Sequence, residues 1–202
     1  MQYTLAYLLA ERLALEHVSA SDLVEGMIAS DTVIGQEMQR FLDRGDSIPD
    51  ELIEPIILAR LRERDCRDKG WVMDGWPRTA AQAQRLVDEQ LTPQIAVVLK
   101  VQDSTIEDRV SFRIENPATG RLWHHKADPP PLGEQRKCII RPGETTDEIL
   151  QRLQIYHERL GPVLERLAQC GADWRVIDMD VESMPMEEYQ TLSETMARQI
   201  GV

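Results

Sequence analysis

Cysteine is scarce in this sequence, which carries only Cys66, Cys138 and Cys170, at wide spacing. An odd number of cysteines without a Cys-x-x-Cys pair implies neither a disulfide framework nor a zinc site. The expected setting is therefore a reducing one, either the cytoplasm or the interior of an organelle. The sequence also lacks an apolar run long enough to span a bilayer, so no membrane is expected as a partner.

Basic residues are in short supply, with 23 lysines and arginines against 35 aspartates and glutamates and a net charge of −12. General nucleic-acid binders usually carry a basic face, so no nucleic acid is expected as a partner. A few local arginines can nevertheless hold a phosphate within an acidic protein. The 202 residues and the 42% hydrophobic content suit a single domain, residues 1–202, with a full core and an inserted lid.

Short apolar runs alternate with segments of helical periodicity along the chain. These runs predict buried strands at residues 71–74 and 95–101, and two further strands are expected at residues 16–20 and 174–178. Strands separated by helices indicate parallel βαβ units, so the predicted fold class is an α/β sandwich. Residues 114–142 differ, because they have few apolar residues and include the run Pro129-Pro130-Pro131. A loop of that length inside a compact domain is usually functional, so a lid or a binding loop is expected there.

The stretch around Asp74 brings a carboxylate and an arginine together. Residues 71–73 predict a buried strand, which Asp74-Gly75 stops and Pro77 keeps from pairing further. In open α/β sheets, ligands bind outside the carboxyl ends of strands. Asp74 could hold a metal ion there, and Arg78 could clamp a phosphate with its planar guanidinium. The alternative is a strand followed by a tight turn, with no ligand.

Several motifs resemble those of one enzyme family. Residues 74–79, with Gln82 three residues on, resemble the D-G-F/Y/W-P-R-T-x-x-Q signature of the adenylate kinases. Other family motifs have counterparts: G-x-x-V/I-P-D-E-L at residues 45–52, D-R-x-x-x-R at 108–113, T-G-x-x-Y-H at 119–124 and N-P-P at 128–130. Arg141 and Arg152 also stand where two further family arginines stand. The resemblance extends from about Thr4 to the end of the chain.

This resemblance implies a P-loop kinase-like fold, a three-layer sandwich around a parallel sheet, and reversible phosphoryl transfer between ATP and AMP with Mg²⁺. It implies a monophosphate-binding segment at residues 21–50 and a lid insertion at residues 114–142. The arginines expected to line the phosphates and act in catalysis are Arg78, Arg109, Arg113, Arg141 and Arg152. The substrate-binding residues are expected to be Asp74, Gly75, Arg78 and Gln82, with Gln82 at the adenine base and Asp74 holding Mg²⁺ through water.

The sequence contains no G-x-x-x-x-G-K-S/T phosphate-binding loop. By the resemblance, that loop and the first strand, which lies in the middle of the family's sheet, would precede Met1. The strands at Trp71 and Ile95 are then expected to lack a neighbour on their facing edges. Three explanations stay open: the sequence starts late, a short chain closes the two edges directly, or a protein partner supplies a strand.

Two residues of the expected monophosphate segment depart from the family pattern. Ala20 stands where the family has a threonine that contacts the monophosphate, and Glu25 stands where it has an arginine that clamps the same phosphate. A carboxylate repels a phosphate at close range, although an extra helical turn could bring another basic residue into place. Two functions follow: an adenylate kinase impaired by the absent loop, or a catalytically silent nucleotide-binding or structural subunit.

Overall fold

The computed structural model describes residues 5–119, 121–126, 128–140, 145–178, 193–195 and 197–198. Helices alternate with strands along the described chain, which confirms the predicted α/β class. The chain divides into two compact units, one of residues 1–98, 159–177 and 183–202 and one of residues 99–158 and 178–182. No helix in the described ranges has both the length and the apolar character needed to cross a membrane.

The first unit contains most of the predicted α/β core. Its helices are α1 (Leu5–Leu13), α2 (Ala20–Ala29), α3 (Val33–Asp43), α4 (Asp50–Leu61), α5 (Arg64–Lys69) and α6 (Ala80–Asp88). Its strands are β1 (Glu16–Ser19), β2 (Trp71–Asp74), β3 (Ile95–Lys100), which continues into the second unit, and β6 (Asp173–Asp178). These strands lie where the apolar runs predicted them.

The four predicted strands form two ladders. β1 pairs with β2 in parallel, with Glu16 opposite Trp71 and Ser19 opposite Asp74. β3 pairs with β6, and the N–H of Asp173 donates to the carbonyl of Gln94 at 2.9 Å, where both strands begin. Among the described residues, β2 and β3 do not pair with each other. One of the three explanations above was that the facing edges of β2 and β3 close directly on each other. The described residues do not show this closure.

Burial along the strands fits this division. Val18 of β1 is buried, whereas all residues of β2 are only half-buried, and β3 becomes exposed at its end. Strands in the middle of a covered parallel sheet are normally buried on both faces. Among the residues that the structure describes, β2 and β3 each have one edge without a neighbouring strand. The larger core cluster of this unit, against which Trp71 and Met73 of β2 also pack, comprises Val18, Ala20, Ile57, Leu58, Leu61, Cys66, Trp76 and Leu86.

A network of ion pairs fixes the amino ends of β1 and β2. The guanidinium of Arg60 donates to both carboxylate oxygens of Asp65, at 2.9 and 2.8 Å, and lies 3.2 Å from the carboxylate of Glu63. Glu16, the first residue of β1, lies 3.8 Å from Arg60 and also pairs with Lys69. The hydrogen bond from Arg60 lowers the pKa of Asp65. These contacts hold α4, α5 and β1 together at the end of the strands away from Asp74.

The second unit is built around a hairpin. Its elements are α7 (Asp103–Ser111), β4 (Arg113–Asn116), β5 (Arg121–His124), α8 (Leu132–Gln135) and α9 (Thr146–Gln169), whose last turns belong to the first unit. β4 and β5 are antiparallel, and an isolated bridge joins Glu115 to Ile139. The sequence predicted a lid or a binding loop for residues 114–142, because few apolar side chains occur there.

Polar contacts stabilise the structure of residues 114–142, which the apolar pattern could not predict. Asn116 is buried, its amide N–H₂ donates to Glu134 at 2.6 Å, and its side-chain oxygen accepts from the N–H of Ala118 at 3.0 Å. Trp123 is buried in the hairpin, with the guanidinium of Arg121 5.0 Å from its ring centre. These contacts close the turn and cover one face of the hairpin. The role of residues 114–142 as a lid stays a prediction.

Candidate active site

Asp74 is the last residue of β2 and lies opposite Ser19, the last residue of β1. Ser19 caps α2, because its hydroxyl accepts a hydrogen bond from the N–H of Asp22 at 3.2 Å. Both strands therefore end at the same edge, and the Asp74 side chain is 40% exposed there. Ligands of open α/β sheets bind beyond such carboxyl ends.

Gly75 turns the chain sharply after Asp74. Its φ of +79° lies in the left-handed region, which strains any residue with a side chain. A Cβ at this position would lie 3.5 Å from the Cβ of Ala20 and 3.5 Å from Nη2 of Arg78. The next peptide bond, Trp76–Pro77, is cis, and Trp76 is buried in the core. The turn is thus anchored on one side and brings Arg78 back towards its start.

Arg78 is held at two points and exposed at its tip. Its Nε donates to the carbonyl of Gly75 at 2.7 Å, and its backbone N–H donates to Oε1 of Gln82 at 2.6 Å. Within the described part of the chain, its Nη1 and Nη2 make no hydrogen bond or ion pair. A guanidinium with a fixed stem and two unbound nitrogens is suited to hold an anion with two oxygens.

Gln82 connects this turn to α4. Its backbone N–H donates to the hydroxyl of Thr79, which caps α6, at 3.2 Å. Its side chain is only 6% exposed, and its Nε2 donates to Oδ1 of Asp50, the first residue of α4, at 2.6 Å. The sequence did not single out Asp50, although it lies inside the segment that resembles the family's G-x-x-V/I-P-D-E-L motif.

The donor set around Asp74 fits a magnesium ion held mainly by other ligands. Asp74 offers hard carboxylate oxygens, and no group of three or more histidines, cysteines or acids among the described residues could hold a metal alone. Mg²⁺ usually keeps several waters and binds through one or two carboxylates and substrate phosphates. His17 also faces this carboxylate, and its buried Nε2 lies 3.8 Å from Asp74 and forms no hydrogen bond with any residue that the structure describes.

The other predicted arginines belong to the second unit or lie outside the described residues. Arg113 begins β4 opposite His124 and is half-buried. Arg152 is exposed on α9, where its charge helps lower the pKa of Glu148, chiefly depressed by the hydrogen bond from Thr145. Arg109 lies on α7 with an undescribed side chain, and Arg141 lies outside the described residues. Their convergence on one cleft with Arg78 stays a prediction.

The two departures from the family pattern occupy different environments. Ala20 is 3% exposed and lies against Gly75, so it brings a methyl group rather than a hydroxyl next to the Arg78 turn. Glu25 lies on α2 with an exposed side chain. The methyl group of Ala20 cannot donate a hydrogen bond to a phosphate, so any binding at this edge depends on the other groups around Arg78.

The fold and the candidate site define an α/β protein of the kind that binds its ligand beyond the carboxyl ends of parallel strands. The family model described as "Adenylate kinase" matches residues 2–172. The chain therefore belongs to the adenylate kinase family.

Curated relatives agree with this assignment. An adenylate kinase of Fusobacterium nucleatum is 32% identical over 167 residues, covering 80% of this chain and 78% of the relative. A chloroplastic adenylate kinase of Zea mays is 31% identical over 158 residues, covering 78% and 71%. An adenylate kinase of Francisella tularensis subsp. holarctica is 31% identical over 167 residues, covering 80% and 76%.

Proposed function

We propose that this protein serves the reversible transfer of a phosphoryl group between ATP and AMP, with Arg78 clamping the phosphate of AMP. The observation that carries the proposal is the state of Arg78 in the structure. Gly75 and Gln82 fix its stem, while its terminal nitrogens have no partner within the described ranges. A cation prepared in this way loses little conformational freedom when it binds an anion, which favours affinity.

The remaining roles are assigned by the family and supported by position. Gln82 meets the adenine base, and residues 21–50 enclose the monophosphate. Asp74 orients Mg²⁺ through water, and the ion, when bound with ATP, neutralises charge on the transferring phosphate. Asp74 and Gly75 support these roles because they lie at the edge where both strands end.

The second unit is proposed to supply further positive charge. In phosphoryl transfer the protein contributes positioning and charge stabilisation rather than covalent chemistry. Arg109, Arg113, Arg141 and Arg152 would perform that role, with residues 114–142 acting as the lid. The exposed guanidinium of Arg152 supports this assignment, because charge that lies at the surface is available to a ligand.

We propose that the 202 residues by themselves transfer phosphate no faster than background. Their sequence contains no G-x-x-x-x-G-K-S/T loop, and removing even one preorganised donor from such a site costs about 10²–10³ in rate. Ala20 also provides no hydroxyl for the monophosphate. β2 and β3 each have an edge with no neighbouring strand in the described part of the chain, which supports a further proposal, that a protein partner supplies a strand there. The free cysteines in the structure support a reducing compartment, the cytoplasm or the interior of an organelle.

Turnover is tested with the purified 202-residue protein in a coupled assay with ATP, AMP and Mg²⁺. We expect a rate no higher than that of the blank, because no phosphate-binding loop is present to stabilise the transferring group. The Fusobacterium nucleatum adenylate kinase serves as the positive control under the same conditions. A rate in the ordinary enzyme range, about 1–10³ s⁻¹, would contradict the proposed impairment.

Binding of AMP tests the phosphate clamp independently of turnover. Replacing Arg78 by alanine is expected to lower the affinity for AMP by about 10-fold to 100-fold in isothermal titration calorimetry, because a hydrogen-bonded charge pair is lost. Adenosine, which has no phosphate, should bind both proteins equally. The matched control is Arg64→Ala, which removes an equal charge from a side chain that is 92% exposed on α5. An equal loss of affinity for AMP in both variants would overturn the assignment of Arg78 as the phosphate clamp.

A further inference from the structure

The side-chain amide of Gln82 lies between one group that can only donate a hydrogen bond and one group that can only accept a hydrogen bond. Its Oε1 accepts from the backbone N–H of Arg78 at 2.6 Å, and its Nε2 donates to Oδ1 of Asp50 at 2.6 Å. A backbone N–H can only donate, and an ionised carboxylate can only accept. The structure therefore permits one orientation of this amide. The side chain is 6% exposed, so bulk water cannot readily replace either partner.

Rotating the amide by 180° would place an acceptor against an acceptor at one end and a donor against a donor at the other. Oε1 would then face the carboxylate of Asp50, and the N–H₂ group would face the N–H of Arg78. Both part-buried hydrogen bonds would be lost, and each end of the amide would face a group whose charge or partial charge has the same sign as its own. In the observed orientation the amide retains one N–H and one lone pair, because it has two donors and two acceptor sites in all.

We propose that Asp50 is a positioning residue that fixes the orientation of the Gln82 amide and so makes the site select 6-amino purine monophosphates over 6-oxo purine monophosphates. This inference rests on the proposed function, in which Gln82 meets the base. Adenine presents an amino donor at C6 and an acceptor at N1, whereas hypoxanthine presents an acceptor at C6 and a donor at N1. An amide that pairs with one base in a given pose must be turned over to pair with the other. Asp50 opposes that rotation.

Asparagine at position 50 removes this opposition while keeping the shape of the side chain. Its amide can either accept from Nε2 of Gln82 or donate to Oε1, so both orientations of Gln82 gain a partner at this end. The matched control is Glu51→Gln, since Glu51 lies in the same first turn of α4, is exposed and makes no hydrogen bond to Gln82. Both variants remove one negative charge from the same helix end.

The experiment measures the dissociation constants of AMP and IMP for the full 202-residue chain by isothermal titration calorimetry. We expect the unaltered chain and Glu51→Gln to prefer AMP by about 10-fold or more, the effect of one mismatched buried hydrogen bond. Asp50→Asn should reduce that preference at least threefold, mainly through tighter binding of IMP. A role confined to stability would lower both affinities together and leave their ratio unchanged.

Nuclear magnetic resonance of the ligand-free protein provides a second readout. One of the two side-chain amide protons of Gln82 should be shifted downfield by the carboxylate of Asp50, and Asp50→Ala should remove that shift in a protein that remains folded. An unchanged amide spectrum, or an unchanged AMP to IMP ratio in Asp50→Asn, would overturn this inference while leaving the role of Arg78 intact. Failure of the unaltered chain to bind AMP would overturn both the proposed function and the selectivity.

Discussion

Gly35 of α3 lies directly against the backbone of α2, and its replacement by alanine tests the packing of the proposed monophosphate segment. A Cβ at this position would lie 2.7 Å from the carbonyl carbon of Met27 and 3.0 Å from Cα of Ile28. Both are backbone atoms, so no side chain can rotate away to make room. The collision can be relieved only if the two helices move apart.

The expected magnitude follows from two opposing effects. Overpacking of a close contact costs about 1–3 kcal/mol. Alanine is a better helix former than glycine by about 1 kcal/mol in a helix interior, and the gain is smaller here because Gly35 lies in the first turn, with its N–H bonded to the hydroxyl of Thr32. The net expectation is a loss of about 1–2 kcal/mol. With a urea m-value of about 2 kcal/mol/M, the midpoint should fall by about 0.5–1 M.

Urea unfolding followed by circular dichroism measures this shift, and Gly26→Ala is the matched control. Gly26 lies within α2, and a Cβ there would meet no atom within 4 Å. The control should therefore raise the free energy of unfolding by about 0.5–1 kcal/mol. If Gly35→Ala raises the midpoint as much as Gly26→Ala does, the close approach of the two helices in the structure is wrong.

Two further predictions concern titratable groups near Arg60. The hydrogen bond from Arg60 lowers the pKa of Asp65, so Asp65 contributes stability above about pH 4 that is lost as the pH falls through its folded pKa. Asp65→Asn should therefore flatten the loss of stability with acid, measured by urea unfolding from pH 5 downwards, and an unchanged slope would contradict the ion pair. Burial raises the pKa of the Cys66 thiol, whereas Cys170 is exposed. Iodoacetamide should therefore modify Cys170 first in the native protein, as peptide mass spectrometry can check, and rapid modification of Cys66 would contradict its burial.

Local patterns were sufficient to predict most of the first unit. A short apolar run after Gly70 predicted β2, and the break between α2 and α3 falls at Ser30-Asp31, where the helical period lapses. The turn from Asp74 to Arg78 was predicted because its residues are adjacent in sequence. In each case the residues that determine the local structure lie within a few positions of it in the sequence.

The features that the sequence did not reveal depend on distant partners. Gln82 and Asp50 are separated by 32 positions, so no local pattern connects the amide with the carboxylate that holds it. The contact that holds the hairpin of β4 and β5 escaped prediction for a related reason, since the buried amide of Asn116 is satisfied by Glu134, 18 residues away. The sequence also predicts a final helix at residues 185–200, and the residues of that segment that the structure describes, 193–195 and 197–198, are helical.

The ion pairs at the amino ends of β1 and β2 make position 60 intolerant of substitution, even by another cation. Arg60 bonds both oxygens of Asp65 through two nitrogens of one rigid plane and also reaches Glu63 and Glu16. Lysine offers a single nitrogen at its tip and cannot reproduce that fork. In a scan of all single substitutions, Arg60 should therefore accept fewer replacements than Arg64, whose exposed side chain pairs with Asp68.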